Sequence, residues 1–330
     1  VVWFRKNARP DGLGIFFCSD VHGSTICFKK FVNAAEYYRQ RGHPVHCLVL
    51  GGDLTGKLIV PVIRQDGRYR SYLLGRDVEL STDAELRNFV RQCETLGVYP
   101  KVFTAEDYDA FRTDPALQER IFARLMVQRL EEWLAFASER LRGQDVTCYI
   151  LPGNDDIPEV DEVLAQALGI VNPDRAVVRL NDTHEMLSLG LSNLTPFDCP
   201  RDVPEAELAR LLDELASQVE RMETCVFTVH VPPYNSGLDL APALDDQLRP
   251  QIGPQGVQMV PVGSTAVREA ILRYQPLLGL HGHIHESKGV ARLGRTLCLN
   301  AGSEYSEGIL RGVLLTLRDG RVASHVLVSG

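Results

Sequence analysis

The 330-residue sequence has no C-x-x-C pair, no apolar run near the roughly 18 residues a membrane span requires, and no excess of basic charge. Each absence closes off a class. Lys and Arg total 35 against 43 Asp and Glu, a formal charge of −8, which removes the sequence-independent pull toward a nucleic-acid backbone or an anionic membrane. Recognition of phosphate must then be local, nucleic acid is disfavoured as a partner, and no membrane association is expected. The opening Val1-Val2-Trp3-Phe4-Arg5-Lys6 lacks the apolar segment and small-residue cleavage site of a signal peptide. The first residue is not Met, so a removed leader stays open. Gly and Pro are at ordinary levels and 45% of residues are hydrophobic, which excludes collagen-like and disordered chains and describes a globular protein.

Eight cysteines are scattered, and Cys18, Cys47, Cys148, Cys225 and Cys298 sit inside short apolar runs. A free Cys there behaves as a small hydrophobe. Reduced thiols and a cytoplasmic location are expected.

Apolar, β-branched runs recur at Leu13 to Cys18, Val45 to Leu50, Val146 to Leu151, Cys225 to Val229, Leu277 to Leu280, Thr296 to Leu299 and Val313 to Leu317. Their near-continuous hydrophobicity predicts strands covered on both faces, hence a layered α/β protein. Most break into polar clusters: Ser19-Asp20-Val21-His22-Gly23, Gly51-Gly52-Asp53, Pro152-Gly153-Asn154-Asp155, His230-Val231-Pro232 and His281-Gly282-His283-Ile284-His285. In open α/β sheets ligands bind beyond the carboxyl ends of strands, so these clusters are where chemistry collects.

The stretch between the second and third clusters is far longer than the dozen or so residues a crossover needs, so it contains an insertion, near residues 60 to 145. A hairpin is expected around Asp66-Gly67. A capping box at Thr82 starts a helix stopped by Gly97. Asp114-Pro115 starts a second, ended by Gly143. Another helix follows Asp202-Val203-Pro204-Glu205, and the tail from Val313 to Val328 reads as a hairpin turning at Asp319-Gly320. His184, in Asn181-Asp182-Thr183-His184-Glu185, reads as a turn residue.

Singly, each polar cluster is a weak signal, because a strand end often carries a satisfied polar pair. In order, they bring three carboxylate or amide oxygens and four imidazoles together, ligands enough for two first-row transition ions sharing a carboxylate.

With Asp20-Val21-His22, Gly52-Asp53, Gly153-Asn154, His230 and Gly282-His283-Ile284-His285 in this order, the sequence resembles the calcineurin-like metallophosphoesterases. Gly52-Asp53-Leu54-Thr55-Gly56, His230-Val231-Pro232-Pro233-Tyr234 and Asn300-Ala301-Gly302-Ser303-Glu304-Tyr305 are similar to the prokaryotic branch related to cyclic-nucleotide phosphodiesterases. The resemblance implies a single domain over residues 1 to 330, a four-layer α/β/β/α sandwich with the segment of about 60 to 145 inserted as a helical and hairpin cap. It implies one metal held by Asp20, His22 and His285, the other by Asn154, His230 and His283, with Asp53 bridging. The implied activity is hydrolysis of a small-molecule phosphoester by a metal-bridging hydroxide, with two divalent ions, Mn, Fe or Zn, manganese being the first choice.

The chain departs from the family at the third motif, which commonly reads Gly-Asn-His and here reads Gly153-Asn154-Asp155-Asp156. An ionised carboxylate beside a phosphate is repulsive, so Asp155 points to phosphodiesters, with one negative charge, over monoesters. The competing reading is that Asp155 caps the following turn. His281 is a candidate acid or orienting group, against a packed strand-end histidine, and Asp156 is a further candidate. Arg64, among the inserted Arg68, Tyr69, Arg70, Tyr72 and Arg76, is a candidate phosphate contact, against an ordinary charged hairpin face. Tyr234 is a better-placed candidate substrate contact. The alternatives are a phosphomonoesterase or nucleotide pyrophosphohydrolase and, from another class, a non-catalytic metal-binding interaction scaffold.

Overall fold

The structure, a computed structural model, describes residues 12–330, and the opening stretch Val1 to Lys6 lies outside the described residues. Strand β1 (Leu13–Cys18) leads through helix α1 (Thr25–Arg39) to the parallel strand β2 (Cys47–Gly51). Next come β3 (Ile59–Gln65), β4 (Arg68–Leu73), β5 (Arg76–Leu80), α2 (Asp83–Leu96), β6 (Tyr99–Thr104), α3 (Ala105–Thr113) and the long α4 (Pro115–Leu141). They are followed by β7 (Thr147–Leu151), α5 (Glu159–Ala165), β8 (Ile170–Val171), β9 (Ala176–Arg179) and β10 (Glu185–Leu189). A short parallel pair, β11 (Ser192–Asn193) and β12 (Asp202–Val203), precedes α6 (Glu205–Ala216) and β13 (Val226–Val229). Two small ribbons, from β14 (Leu240–Pro242), β15 (Ile252–Gly253), β16 (Gly256–Val257) and β17 (Met259–Pro261), separate β13 from α7 (Thr265–Tyr274). The chain finishes with β18 (Leu278–His281), β19 (Gly289–Leu293), β20 (Thr296–Asn300) and the hairpin β21 (Arg311–Arg318) and β22 (Arg321–Ser329).

This is a mixed α/β fold with two six-stranded sheets, ordered β22-β21-β1-β2-β7-β8 and β19-β20-β18-β13-β10-β9, and a four-stranded sheet, β5-β4-β3-β6. Alternation explains the continuous hydrophobicity of the strands, because successive side chains enter different cores. Leu13, Ile15 and Phe17 of β1 join Cys47 and Val49 of β2 in a core shared with Met186, Val226, Leu278, Leu280, Leu297 and Leu299 of the other large sheet. Phe16 and Cys18, with Leu48 and Leu50, face α1 and α4. On the second sheet, Leu187, Phe227 and Cys298 face α6 and α7.

The local punctuation acts as its chemistry requires. Thr82 and Glu85 form the expected capping box and Gly97 ends α2 in the left-handed region at φ 77°. Asp114 caps α4 through the Leu117 amide, with Pro115 opening the helix. The 66–67 and 319–320 turns both use positive φ. His184 sits in the turn between β9 and β10, bonded to Asn181.

The segment expected as an insertion grips the rest of the chain at the first two polar clusters. The Ser24 hydroxyl donates to Thr95 O (2.7 Å) and the Gly56 amide donates to the Tyr99 hydroxyl (2.9 Å). Arg129 of α4, buried, donates to Gly23 O (2.8 Å) and lies over the Tyr99 ring, 4.6 Å from its centroid. Trp133 of the same helix stacks on Phe28 of α1 at 4.4 Å. Replacing Arg129 with Met leaves the buried Gly23 carbonyl without this donor, so we expect a loss of about 2 kcal/mol. The urea-unfolding midpoint measures it, and an unchanged midpoint would show that the grip is energetically idle.

Candidate metal centre

β1, β2 and β7 run parallel, as do β13 and β18, and the polar clusters occupy the turns after their carboxyl ends. Backbone hydrogen bonds join the first two turns: the Asp20 amide to Gly52 O, His22 to Asp53 O and Gly23 to Leu54 O, at 2.9, 3.0 and 2.8 Å. The His283 amide reaches across to the Asp20 carboxylate at 3.0 Å, and the Ser303 hydroxyl donates to Asp20 O at 2.7 Å. Asp20, His22, Asp53 and His283 take positive φ, between 37° and 65°. Such strained backbone is tolerated where surrounding bonds over-determine it, and it gathers at functional sites.

Three donor groups result: Asp20, His22 and His285; Asp53, His230 and His283; and His22, Asp53 and Asp155, with the atoms in each within 4.8 Å of one another. The Nε2 atoms of His22 and His285 stand 3.0 Å apart. Asp53 presents Oδ2 to His22 Nε2 and Oδ1 to His230 Nε2, each at 3.4 Å. His230 Nδ1 lies 2.8 Å from Gly51 O, which fixes the ring with Nε2 facing Asp53 and Asn154 Oδ1 (3.1 Å). The Asn154 amide donates to Asp202, leaving its oxygen for the site. All seven residues read from the sequence therefore converge. Asp20 and Asp53 are 1% and 3% exposed, and buried carboxylates facing imidazole nitrogens need cations. The donor set fits metal ions.

The protonation pattern without metal follows from proximity. Burial would raise the Asp20 carboxyl, but its hydrogen bond to His285 and the charge of His230 hold it near 2. Asp53 is likewise held well below the usual range against burial, chiefly by His230. Burial would lower His230, yet the Asp53 charge and hydrogen bond push it up to about 10. His285 is raised against burial by Asp20. Burial pushes His22 down to about 3 and His283 to about 4. Without metal, the neighbouring Asp53 charge thus favours a proton on His230.

Two glycines are there because ligands need their space. A Cβ on Gly153 would lie 2.1 Å from Asp53 Oδ1, and one on Gly282 would lie 2.3 Å from Asp20 Oδ2.

Asp156 is a clamp. Fully buried, its carboxylate accepts from the amides of Gly153, Leu54 and Thr55 and from the Thr55 hydroxyl, at 2.8 to 3.0 Å. Burial and the nearby Asp53 raise it to about 6 despite those bonds. His281 is fully buried, with Nδ1 2.8 Å from Val229 O and Nε2 turned back toward Gly279. Burial lowers it to about 4. Tyr234 is 38% exposed, its amide held by Ser264 O.

Arg64 lies on β3, paired with Tyr69 of β4. It is exposed near the 66–67 turn, about 17 Å along β3 from Ile59. The basic group that meets the cluster is Lys57, whose Nζ is 2.7 Å from Asp155 Oδ2. Sequence reading passed over it, although it directly follows Gly52-Asp53-Leu54-Thr55-Gly56. Tyr305 borders the site as well, its ring centroid 4.8 Å from that of His22; its sequence signal was only its place at the end of the Asn300 to Tyr305 run.

No family model matches the chain. The uncharacterized protein MJ1162 of Methanocaldococcus jannaschii is 30% identical over 159 residues, 47% of this chain and 63% of that protein. The chain thus spans less than two-thirds of that relative's length. The crystal structure of TT1561 of Thermus thermophilus superposes with a TM-score of 0.52 at 15% identity, covering 97% of this chain and 98% of the other. A further crystal structure gives 0.56 at the same identity and coverage. These likenesses establish a shared α/β fold.

Two expectations follow. Because a cation must displace the proton from His230, uptake of manganese as a probe ion is expected to release protons, and its apparent affinity to rise with pH up to about pH 10. Titration calorimetry in buffers of different ionisation enthalpy reads this, and buffer-independent heats would contradict it. Gly282→Ala, by crowding Asp20, is expected to weaken metal affinity about 10- to 100-fold while the circular dichroism stays native; full metal retention would contradict that.

Proposed function

We propose that the chain is a binuclear-metal-dependent phosphoester hydrolase of the calcineurin-like metallophosphoesterase superfamily, acting on phosphodiesters. The observation that carries this reading is Asp53, whose two oxygens face His22 on one side and His230 on the other at 3.4 Å each. In this reading Asp20, His22 and His285 hold one divalent ion, Asn154, His230 and His283 hold a second, and Asp53 is shared. Such ions, when bound, supply Lewis acidity at phosphorus and lower the pKa of a coordinated water. Manganese is the first choice, with iron and zinc also suited to imidazole and carboxylate.

The protein's own part is placement. Asn154 is oriented by Asp202, His230 by Gly51 O, and Asp53 by the Asp155 amide at 3.1 Å. Asp156 keeps the Asp53 and Asn154 turns at fixed separation. His281, buried against Val229 O, steadies the base of the Gly282–His285 turn. In this reading the two large sheets and the helices packed on them correspond to the α/β/β/α sandwich of that superfamily, as one domain with the segment of about 60 to 145 inserted. Buried thiols such as Cys18, Cys27 and Cys148 suit a reducing cytoplasm. Among the described residues no helix is long and apolar enough to cross a membrane.

Manganese-loaded protein is expected to hydrolyse bis-p-nitrophenyl phosphate faster than p-nitrophenyl phosphate, with Asp53→Asn lowering turnover at least about 100-fold. Faster monoester turnover would shift the reading to a phosphomonoesterase. Inactivity on both, with metal bound, would favour an interaction scaffold.

A further inference from the structure

Asp155 stands where the superfamily's leaving-group histidine is usual, and its surroundings are those of an anchor. Its amide donates to Asp53, Oδ2 is 3.7 Å from His22 Nδ1, Oδ1 is 3.7 Å from Cys199 Sγ, and Lys57 Nζ closes on Oδ2 at 2.7 Å. The side chain of Asp155 is 22% exposed and that of Lys57 52% exposed, so the pair lies at the mouth of the cluster while Asp20 and Asp53 lie beneath. The Lys57 charge also acts on His22, His285 and Tyr305. An ammonium at the entrance to an acidic site is a point-charge partner for a phosphoryl oxygen.

We propose that Lys57 is the substrate-phosphate contact of this site and that Asp155 is its positioning residue, holding the ammonium in place until a phosphate oxygen takes over the pairing. This rests on the phosphoester hydrolase reading above. Before substrate binds, Lys57 answers the Asp155 charge; in this proposal the phosphate-binding role that the sequence suggested for Arg64 falls to a lysine seven residues earlier. Asp155 is also one of three donors grouped with His22 and Asp53, which makes direct metal ligation the rival role.

The test uses the full chain loaded with manganese, with inorganic phosphate as the probe in titration calorimetry, metal content by mass spectrometry, and kcat and KM on bis-p-nitrophenyl phosphate. Lys57→Met is expected to weaken phosphate binding and raise KM about tenfold or more, with Lys57→Arg recovering part of both. Asp155→Asn is expected to keep its metal, bind phosphate more tightly and lower kcat, because the freed ammonium is attractive but misplaced. Phosphate affinity within twofold of the parent in Lys57→Met, or loss of metal in Asp155→Asn, would overturn the proposal. Binding of phosphate and its dependence on Lys57 are read without turnover, so an inactive parent would sink the hydrolase reading while the calorimetry still judges Lys57.

Discussion

Two like charges buried side by side organise this molecule. Asp20 and Asp53 sit almost without solvent at the junction of two sheets, an arrangement that costs several kcal/mol per ion unless cations or imidazolium groups answer it. Everything nearby serves that need. Four histidines arrive on three different turns, each held through backbone or side-chain oxygens, and the turns are hydrogen-bonded to one another before any ligand is considered. The parallel strands supply the geometry, because their carboxyl ends bring successive turns to one edge.

Support reaches well beyond the ligands. Asp156 spans from the third turn to the second, Asp202 holds Asn154, and Arg129 reaches from a helix more than a hundred residues away in sequence to the carbonyl of Gly23. The expected insertion is a brace in these contacts, since α4 packs on α1 and Tyr99 holds Gly56. A site assembled from loops is made firm by elements that never touch its contents.

The candidate ligands were legible because each is a polar interruption of an apolar run, and because the spacing Asp-x-His or His-x-His is local. Helix starts with local caps, at Thr82 and Asp114, were legible for the same reason. What depended on distant partners was not. Helix α7 has a local Ser264 cap on the Val267 amide, with Glu205 of α6 added on the amides of Thr265 and Ala266, whereas α1 has a Ser24 N-cap whose hydroxyl goes to Thr95 instead of its own helix. Both helices escaped the sequence reading. So did β10, a strand interior to the second sheet, whose Glu185-Met186-Leu187-Ser188-Leu189 run is interrupted by Glu185, which accepts from the distant Glu220 amide, and by the buried Ser188. Lys57 was overlooked because a lone lysine after a glycine has no local signature; only the fold shows that Asp155 faces it.

The meeting of His22 and His285 across 263 residues of sequence has a consequence for how the chain reaches its native state. Closing so long a loop is entropically costly and slow to be rewarded, so this pair forms only when both large sheets are docked. An ion held by both imidazoles would find this pairing only in the assembled chain. Its binding energy would be added to the finished structure, so that it would act as a latch on completed folding.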